Sequence, residues 1–198
     1  GFEAKAFYGL NLFRSPFGRN DVISDDKLDG QTFDFSGNYG TRIGNKGGFI
    51  NITAEVVNRG YAIRNAKPVL YDAPRQGVGD AKANNMYLFY NAEVPVTEQT
   101  QFYSFGGYSH RNTHAFAWTR SADADGNVPS IFPNGFNPIE NTKIDDFNFN
   151  NGLKFKVANW EVDFYNALGT NQFLYTIENT VNATLGANSK TSFDAGGH

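Results

Sequence analysis

Residues 147–164 read FNFNNGLKFKVANWEVDF. Phe147, Phe149, Leu153, Phe155 and Val157 share one parity, and Asn148, Asn150, Lys154 and Lys156 share the other. After Ala158 and Asn159 the pattern resumes, with Trp160, Val162 and Phe164 set against Glu161 and Asp163. Period-2 alternation sends successive side chains to opposite faces of a strand. A two-residue link between two such runs is a hairpin turn. The stretch predicts two antiparallel strands, each with one apolar and one polar face.

The same rule holds outward from this hairpin. Phe2, Ala4, Ala6, Tyr8, Leu10 and Leu12 alternate with Glu3, Lys5, Gly9 and Asn11; Phe33, Phe35, Gly37, Tyr39 and Ile43 with Asp34, Ser36, Asn38 and Arg42. Ile50, Ile52, Ala54 and Val56 oppose Asn51, Thr53 and Glu55, and Met86, Leu88, Tyr90, Ala92, Val94 and Val96 oppose Asn91 and Glu93. Residues 101–116 are strand-like, but aromatic side chains occupy both parities and the faces stay unassigned. Seven strands are legible, with the start of an eighth after Phe193. Each runs about 9–12 residues, the length a tilted strand needs to cross a bilayer.

The links between strands alternate in length. Those near residues 44–47, 97–100 and 158–159 are short, whereas 14–31, 60–85, 118–145 and the stretch from about 169 onward are long and polar. Long loops gathered at one end are expected of an outer-membrane barrel, with tight periplasmic turns and long extracellular loops. A secreted β-sandwich with irregular loops is the competing reading. In lipid no water can satisfy a strand edge, so a spanning sheet must close.

Composition agrees with an all-β chain. The 198 residues include 19 Phe, 10 Tyr and 24 Asn, with a mean hydropathy of -0.48. Aromatic, Gly- and Asn-rich sequence favours short strands and turns over helices. A formal net charge of -3 supplies no basic excess for a phosphate backbone, so nucleic acid is not an expected partner. With no Cys, thiol catalysis, disulfides and Cys-ligated zinc are excluded for these residues. Neither GxSxG nor GxxxxGK[ST] occurs, and an enzyme is the least expected class. The chain begins at Gly1 with its only Met at Met86, which reads as a processed chain or a fragment.

Specific stretches resemble the barrel of TonB-dependent outer-membrane receptors. They are residues 47–64 (GGFINITAEVVNRGYAIR), 88–112 (LFYNAEVPVTEQTQFYSFGGYSHRN), 131–155 (IFPNGFNPIENTKIDDFNFNNGLKF) and the tail 175–197. The resemblance implies a barrel of about 22 strands around an N-terminal plug, in the bacterial outer membrane. It also implies import of a scarce nutrient, most of all an iron–siderophore complex, driven through contact of the plug with the TonB complex. No plug and no TonB-contacting box is found, so residues 1–198 are expected to form a partial β-barrel domain, an early part of the wall. The partners expected are outer-membrane lipid and the nutrient ligand. Two other readings stay open: a complete small eight-stranded barrel acting as adhesin or anchor, and a soluble carbohydrate-binding sandwich.

Candidate ligand-binding residues lie at the long-loop side. His110, Arg111 and His114 sit where the fifth strand leaves the apolar band, and His and Arg offer charge-assisted donors to an anionic or chelate ligand. A polar strand end in water is the plainer alternative. His110 and His114, four residues apart on one parity, are about 13 Å from each other, so no metal or cofactor is expected between them. Phe132 and Phe136 bracket Pro133–Asn134–Gly135 and could grip an aryl or sugar ring, or pack their own loop. Asp123, Asp125 and Asn127 around Gly126 suggest oxygen ligands for Ca²⁺, but the twelve-residue loop with its terminal Glu is missing, and a solvated turn is expected.

Overall fold

The computed structural model describes residues 1–12, 22–23, 28–63, 65–66 and 79–197. Eight strands follow one another in chain order: β1 (Phe2–Leu12), β2 (Leu28–Ile43), β3 (Gly48–Arg59), β4 (Lys82–Pro95), β5 (Thr100–Phe116), β6 (Ile139–Val157), β7 (Trp160–Glu178) and β8 (Ser192–Gly197). Each is antiparallel to its sequence neighbour, giving a single meander in the order β1 to β8. Two further ladders are only two residues long, Val22–Ile23 with Asn65–Ala66 and Ala62–Ile63 with Gly79–Asp80.

The sheet is open. Among the described residues β1 pairs only with β2, and β8 reaches only the last part of β7, from Leu174 to Glu178. The lower part of β7, from Trp160 to Phe173, therefore has one free edge among the described residues. The all-β, antiparallel architecture expected from alternation is present, as is the eighth strand after Phe193. Most of the long link expected over residues 14–31, and much of that over 60–85, lie outside the described residues.

Three connections are tight and lie at one end: residues 44–47, 96–99 and 158–159. Left-handed backbone makes two of them possible, with Gly44 at φ 65 and Gly47 at φ 87 in the first. In the third, Val157 pairs with Trp160 and Ala158 takes φ 53. A positive φ at the first central residue is the geometry that a right-twisted hairpin wants, and glycine is the residue that normally supplies it.

Several strands are longer than their apolar alternation suggested. β6 and β7 each span 19 residues and β5 spans 17. The link expected over 118–145 is only 117–138, and β7 continues to Glu178 where a loop was expected from about 169. Beyond the apolar stretch both parities mix polar and apolar residues, so alternation disappears while backbone pairing continues, helped by cross-strand polar pairs.

Register assigns every strand to two faces. One row across seven strands runs Phe2, Tyr39, Ile52, Tyr90, Gly106, Phe149, Leu168, without a polar member apart from the tyrosine hydroxyls. A row on the opposite face runs Lys5, Ser36, Glu55, Tyr87, Ser109, Asp146, Asn171, entirely polar or amphipathic. The faces of β5, unreadable from its own sequence, follow from its neighbours. Phe102, Ser104, Gly106, Tyr108, His110 and His114 share the apolar face, and Gln101, Tyr103, Phe105, Ser109 and Arg111 the polar one.

Among the described residues, none is packed on the middle of the apolar face. The buried apolar residues are Ala62, Ala83, Val128 and Phe136, none of them in the middle of that face. Trp160 is 75% exposed, Phe164 73% and Leu168 58%. A domain is normally two layers around a core, and this sheet is one layer.

Candidate functional site

The end of the sheet with long loops brings the predicted polar residues next to two consecutive carboxylates. In the register of β5 and β6 His110 lies opposite Asp145, and Arg111, opposite Ile144, is diagonal to Asp146 two residues further along. His110 Nδ1 is 2.8 Å from Asp145 Oδ1, which also accepts from the Tyr108 hydroxyl. Arg111 Nη2 donates to Asp146 Oδ2 at 2.5 Å, and the Ser109 hydroxyl donates to the same oxygen at 3.0 Å. Asn171 of β7 donates its amide to the other Asp146 oxygen. The side chains of both pairs are about a third exposed.

Adjacent residues on a strand point to opposite faces. The cluster Tyr108–His110–Asp145 is on the apolar side and Ser109–Arg111–Asp146–Asn171 on the polar side. His110 and Arg111 therefore cannot hold one ligand together. His114 shares the side of His110, opposite Lys82 and Asn141. What the polar side offers a ligand is a guanidinium fixed in place by one carboxylate, with hydroxyl and amide donors around it.

Phe132 and Phe136 are brought together, their ring centroids 4.7 Å apart. They build the inside of the 117–138 loop. Arg120 and Phe136 exchange two backbone hydrogen bonds, of 2.7 and 2.9 Å, and Phe136 is buried. The Asn127 amide donates to the carbonyls of Ala122 and Phe132, at 2.8 and 3.0 Å. Gly135, at φ 78, passes so close to Arg120 that a Cβ there would lie 2.2 Å from its carbonyl oxygen. Of the two uses expected for this pair, the packing one is what the geometry supports for Phe136, while Phe132 keeps a half-exposed ring.

The acidic turn of the same loop is tied locally. Ser121 Oγ donates to Asp123 Oδ1 at 2.6 Å. That hydroxyl, then the residue's own backbone N–H, holds the Asp123 carboxyl below the ordinary range.

A second polar group, which sequence reading left undivided among the polar-parity charges, occupies the short-turn end of the polar face. The Tyr103 hydroxyl donates to Asp163 at 2.9 Å, Lys154 Nζ sits 4.9 Å from the Tyr103 ring centroid, and Gln101 donates to Glu93. Lys156 and Glu161 pair at 3.1 Å across the hairpin. Gln101, Lys154, Lys156, Glu161 and Asp163 line an open hollow of ≈ 780 Å³. The alternation of Lys154, Lys156, Glu161 and Asp163 around the two-residue turn was the signal that could have found it.

Comparison with protein-family models, with curated proteins and with solved structures found no match to this chain.

Proposed function

We propose that this chain is wall from the barrel of a TonB-dependent outer-membrane receptor, which binds a scarce nutrient outside the cell and imports it, with an iron–siderophore complex as cargo. The observation that carries this reading is an apolar face, broken only at the row of Asn151 and Asn166, on which none of the described residues packs as a second layer. In water such a face would leave large apolar side chains such as Phe2, Phe35, Ile52, Leu88, Phe147, Phe164 and Leu168 hydrated, at roughly 1.5–3 kcal/mol each relative to burial. Hydrocarbon removes that cost. On β6 the apolar run Phe147–Val157 covers ten residue steps, which at about 3.4 Å per step and a tilt of about 45° spans about 24 Å, the height of a lipid-facing band.

In this reading the polar face lines the lumen, the tight turns are periplasmic and the long loops extracellular. Arg111, held by Asp146, would meet an anionic ligand entering the lumen, while His110 and His114 lie on the outer side above the lipid. The open edges would pair with further strands, since a spanning sheet has to close. The plug and its contact with the TonB complex come from the family resemblance, and no catalysis is assigned to the chain.

The test is an immunoblot of the source organism's outer-membrane fraction with antibody against residues 127–143, joined to uptake of ferric siderophore by cells lacking the gene. A band several times larger than 21.9 kDa with reduced uptake is the expected result. A membrane band near that mass would instead favour the small closed barrel, and a soluble band would defeat both.

A further inference from the structure

The polar face carries a patch of aromatic surface. Asn91, Phe105 and Asn150 share one cross-strand row on it, and Glu93, Tyr103, Gly152 and Tyr165 share the next. Phe89 of β4, on the same face, sits over Gly107, and Tyr103 sits over Gly152. The missing side chain lets each ring lie down along the sheet instead of standing on it. Phe105 is 47% exposed and Phe89 45%. Aromatic surface left in water on an otherwise polar face marks a place where something apolar is meant to rest.

Polar groups border these rings. The rings of Tyr103 and Phe105 are nearly parallel, 13° between planes, with centroids 6.3 Å apart. Asn91 and Asn150 flank Phe105 in register, one on each side. Neither side-chain amide makes a hydrogen bond among the described residues. Asn91, Glu93, Tyr103, Phe105 and Lys154 line an open hollow of ≈ 310 Å³, and Lys154 is shared with the larger hollow at the short turns.

The charges of the two hollows are already matched from within. Glu93 accepts from Gln101, Asp163 accepts from Tyr103, and Lys156 pairs with Glu161. Lys154 and Lys156 against Glu93, Glu161 and Asp163 leave no positive excess to select an anion. No group of three or more metal-ligating side chains occurs among the described residues. What the site offers a ligand is therefore aromatic surface, unpaired amides and carboxylate oxygens with spare acceptor capacity.

We propose that this part of the polar face is a binding site for an uncharged oligosaccharide. A pyranose is apolar over its C–H faces and rimmed by hydroxyls that both donate and accept, so it matches aromatic surface bordered by amides and carboxylates. Phe105 and Tyr103 carry the C–H face, Asn91 and Asn150 exchange hydrogen bonds with hydroxyls, and Glu93 accepts from one. The two adjoining hollows give room for more than one sugar unit, and their volumes lie in the range of ligand sites. Tyr103 is eight residues from Arg111, about 27 Å along β5, so this site is separate from the Arg111 cluster. It stands on the polar face alone and does not depend on what covers the other.

The test is titration calorimetry of the full-length protein with maltohexaose and cellohexaose, in a detergent whose headgroup is not a sugar. Binding of at least one is expected. Phe105→Leu and Asn91→Ala should each weaken it about three- to ten-fold, the effect of losing one stacking contact or one hydrogen-bond partner. Asn91 is exposed, so Asn91→Ala leaves the fold intact, and Phe105→Tyr should bind as the wild type does. Excess citrate, an anion, should not displace the sugar. No binding of either hexasaccharide, wild-type affinity in both Phe105→Leu and Asn91→Ala, or displacement by citrate would overturn the proposal.

Discussion

His110 and Arg111, one peptide bond apart on β5, are held on opposite faces of the sheet by the consecutive carboxylates Asp145 and Asp146. Two acids in sequence thus serve the two faces of the sheet. The polar-side cluster is the more densely bonded, because Asp146 also accepts from Ser109 and Asn171 and so ties β5, β6 and β7 together.

Asp146→Ala removes the common acceptor of three donors. The site is partly exposed, so the expected loss is about 1–3 kcal/mol, read as a lowered melting temperature of the full-length protein in detergent. Lys46→Ala, in the exposed 44–47 turn, should stay within about 0.5 kcal/mol of wild type. Equal effects from the two would contradict the bonding described. In ligand binding, Arg111→Ala should weaken an anionic ligand, while His110→Ala, on the other face, should leave its affinity unchanged.

Ala158 carries a side chain at φ 53. An L-residue there costs roughly 1–2 kcal/mol, which glycine avoids, although glycine adds freedom to the unfolded chain. Ala158→Gly should be neutral or stabilising by up to about 1 kcal/mol, and Ala158→Val destabilising by more than that. Denaturant midpoints of the refolded protein would rank the three.

Two aromatic rings on the polar face lie over glycines of the neighbouring strand. A Cβ on Gly107 would fall 2.2 Å from Phe89 Cδ1, and one on Gly152 would fall 2.6 Å from the Tyr103 ring. Gly152→Ala should push Tyr103 off Asp163 and cost about 1–3 kcal/mol. Adding Tyr103→Ala should recover part of the loss. Non-additivity in this double-mutant cycle is the measurement, and strict additivity would count against the contact.

The 117–138 loop should be sensitive to acid. Because the folded Asp123 carboxyl lies below its ordinary value, its contribution is present above the unfolded value, near pH 4, and is lost as pH falls through the folded one. Protease protection of the loop should therefore hold through mildly acidic pH and fail only below that. Ser121→Ala removes the main cause of the shift, so protection should fail at higher pH.

The sheet was legible where its two faces meet different surroundings. Phe147–Phe164 alternates because one parity is apolar at every position but Asn151, and Ile50–Val56 alternates without exception. β5 was not legible, since Tyr103 and Phe105 cover the polar face while Phe102 and Tyr108 sit on the other. Only pairing with β4 and β6 sorts them. Residues 139–145 and 169–178 were expected in loops because strand ends wet on both sides carry no period. At the site, His110, Arg111 and His114 were expected in the last part of the fifth strand, and all three lie in β5 before it ends at Phe116. Their separation by face, and their partners Asp145 and Asp146, depend on a register set across the whole 117–138 loop, which no local pattern encodes.

The central claim is that one face of this sheet contacts hydrocarbon and the other water. Single cysteines along β7 at positions 162–168, reacted with a water-soluble maleimide in native outer membranes, test it most directly. Val162→Cys, Phe164→Cys and Leu168→Cys should be protected, and Asp163→Cys, Tyr165→Cys and Ala167→Cys labelled. Uniform labelling, or labelling of the first set and protection of the second, would contradict the account.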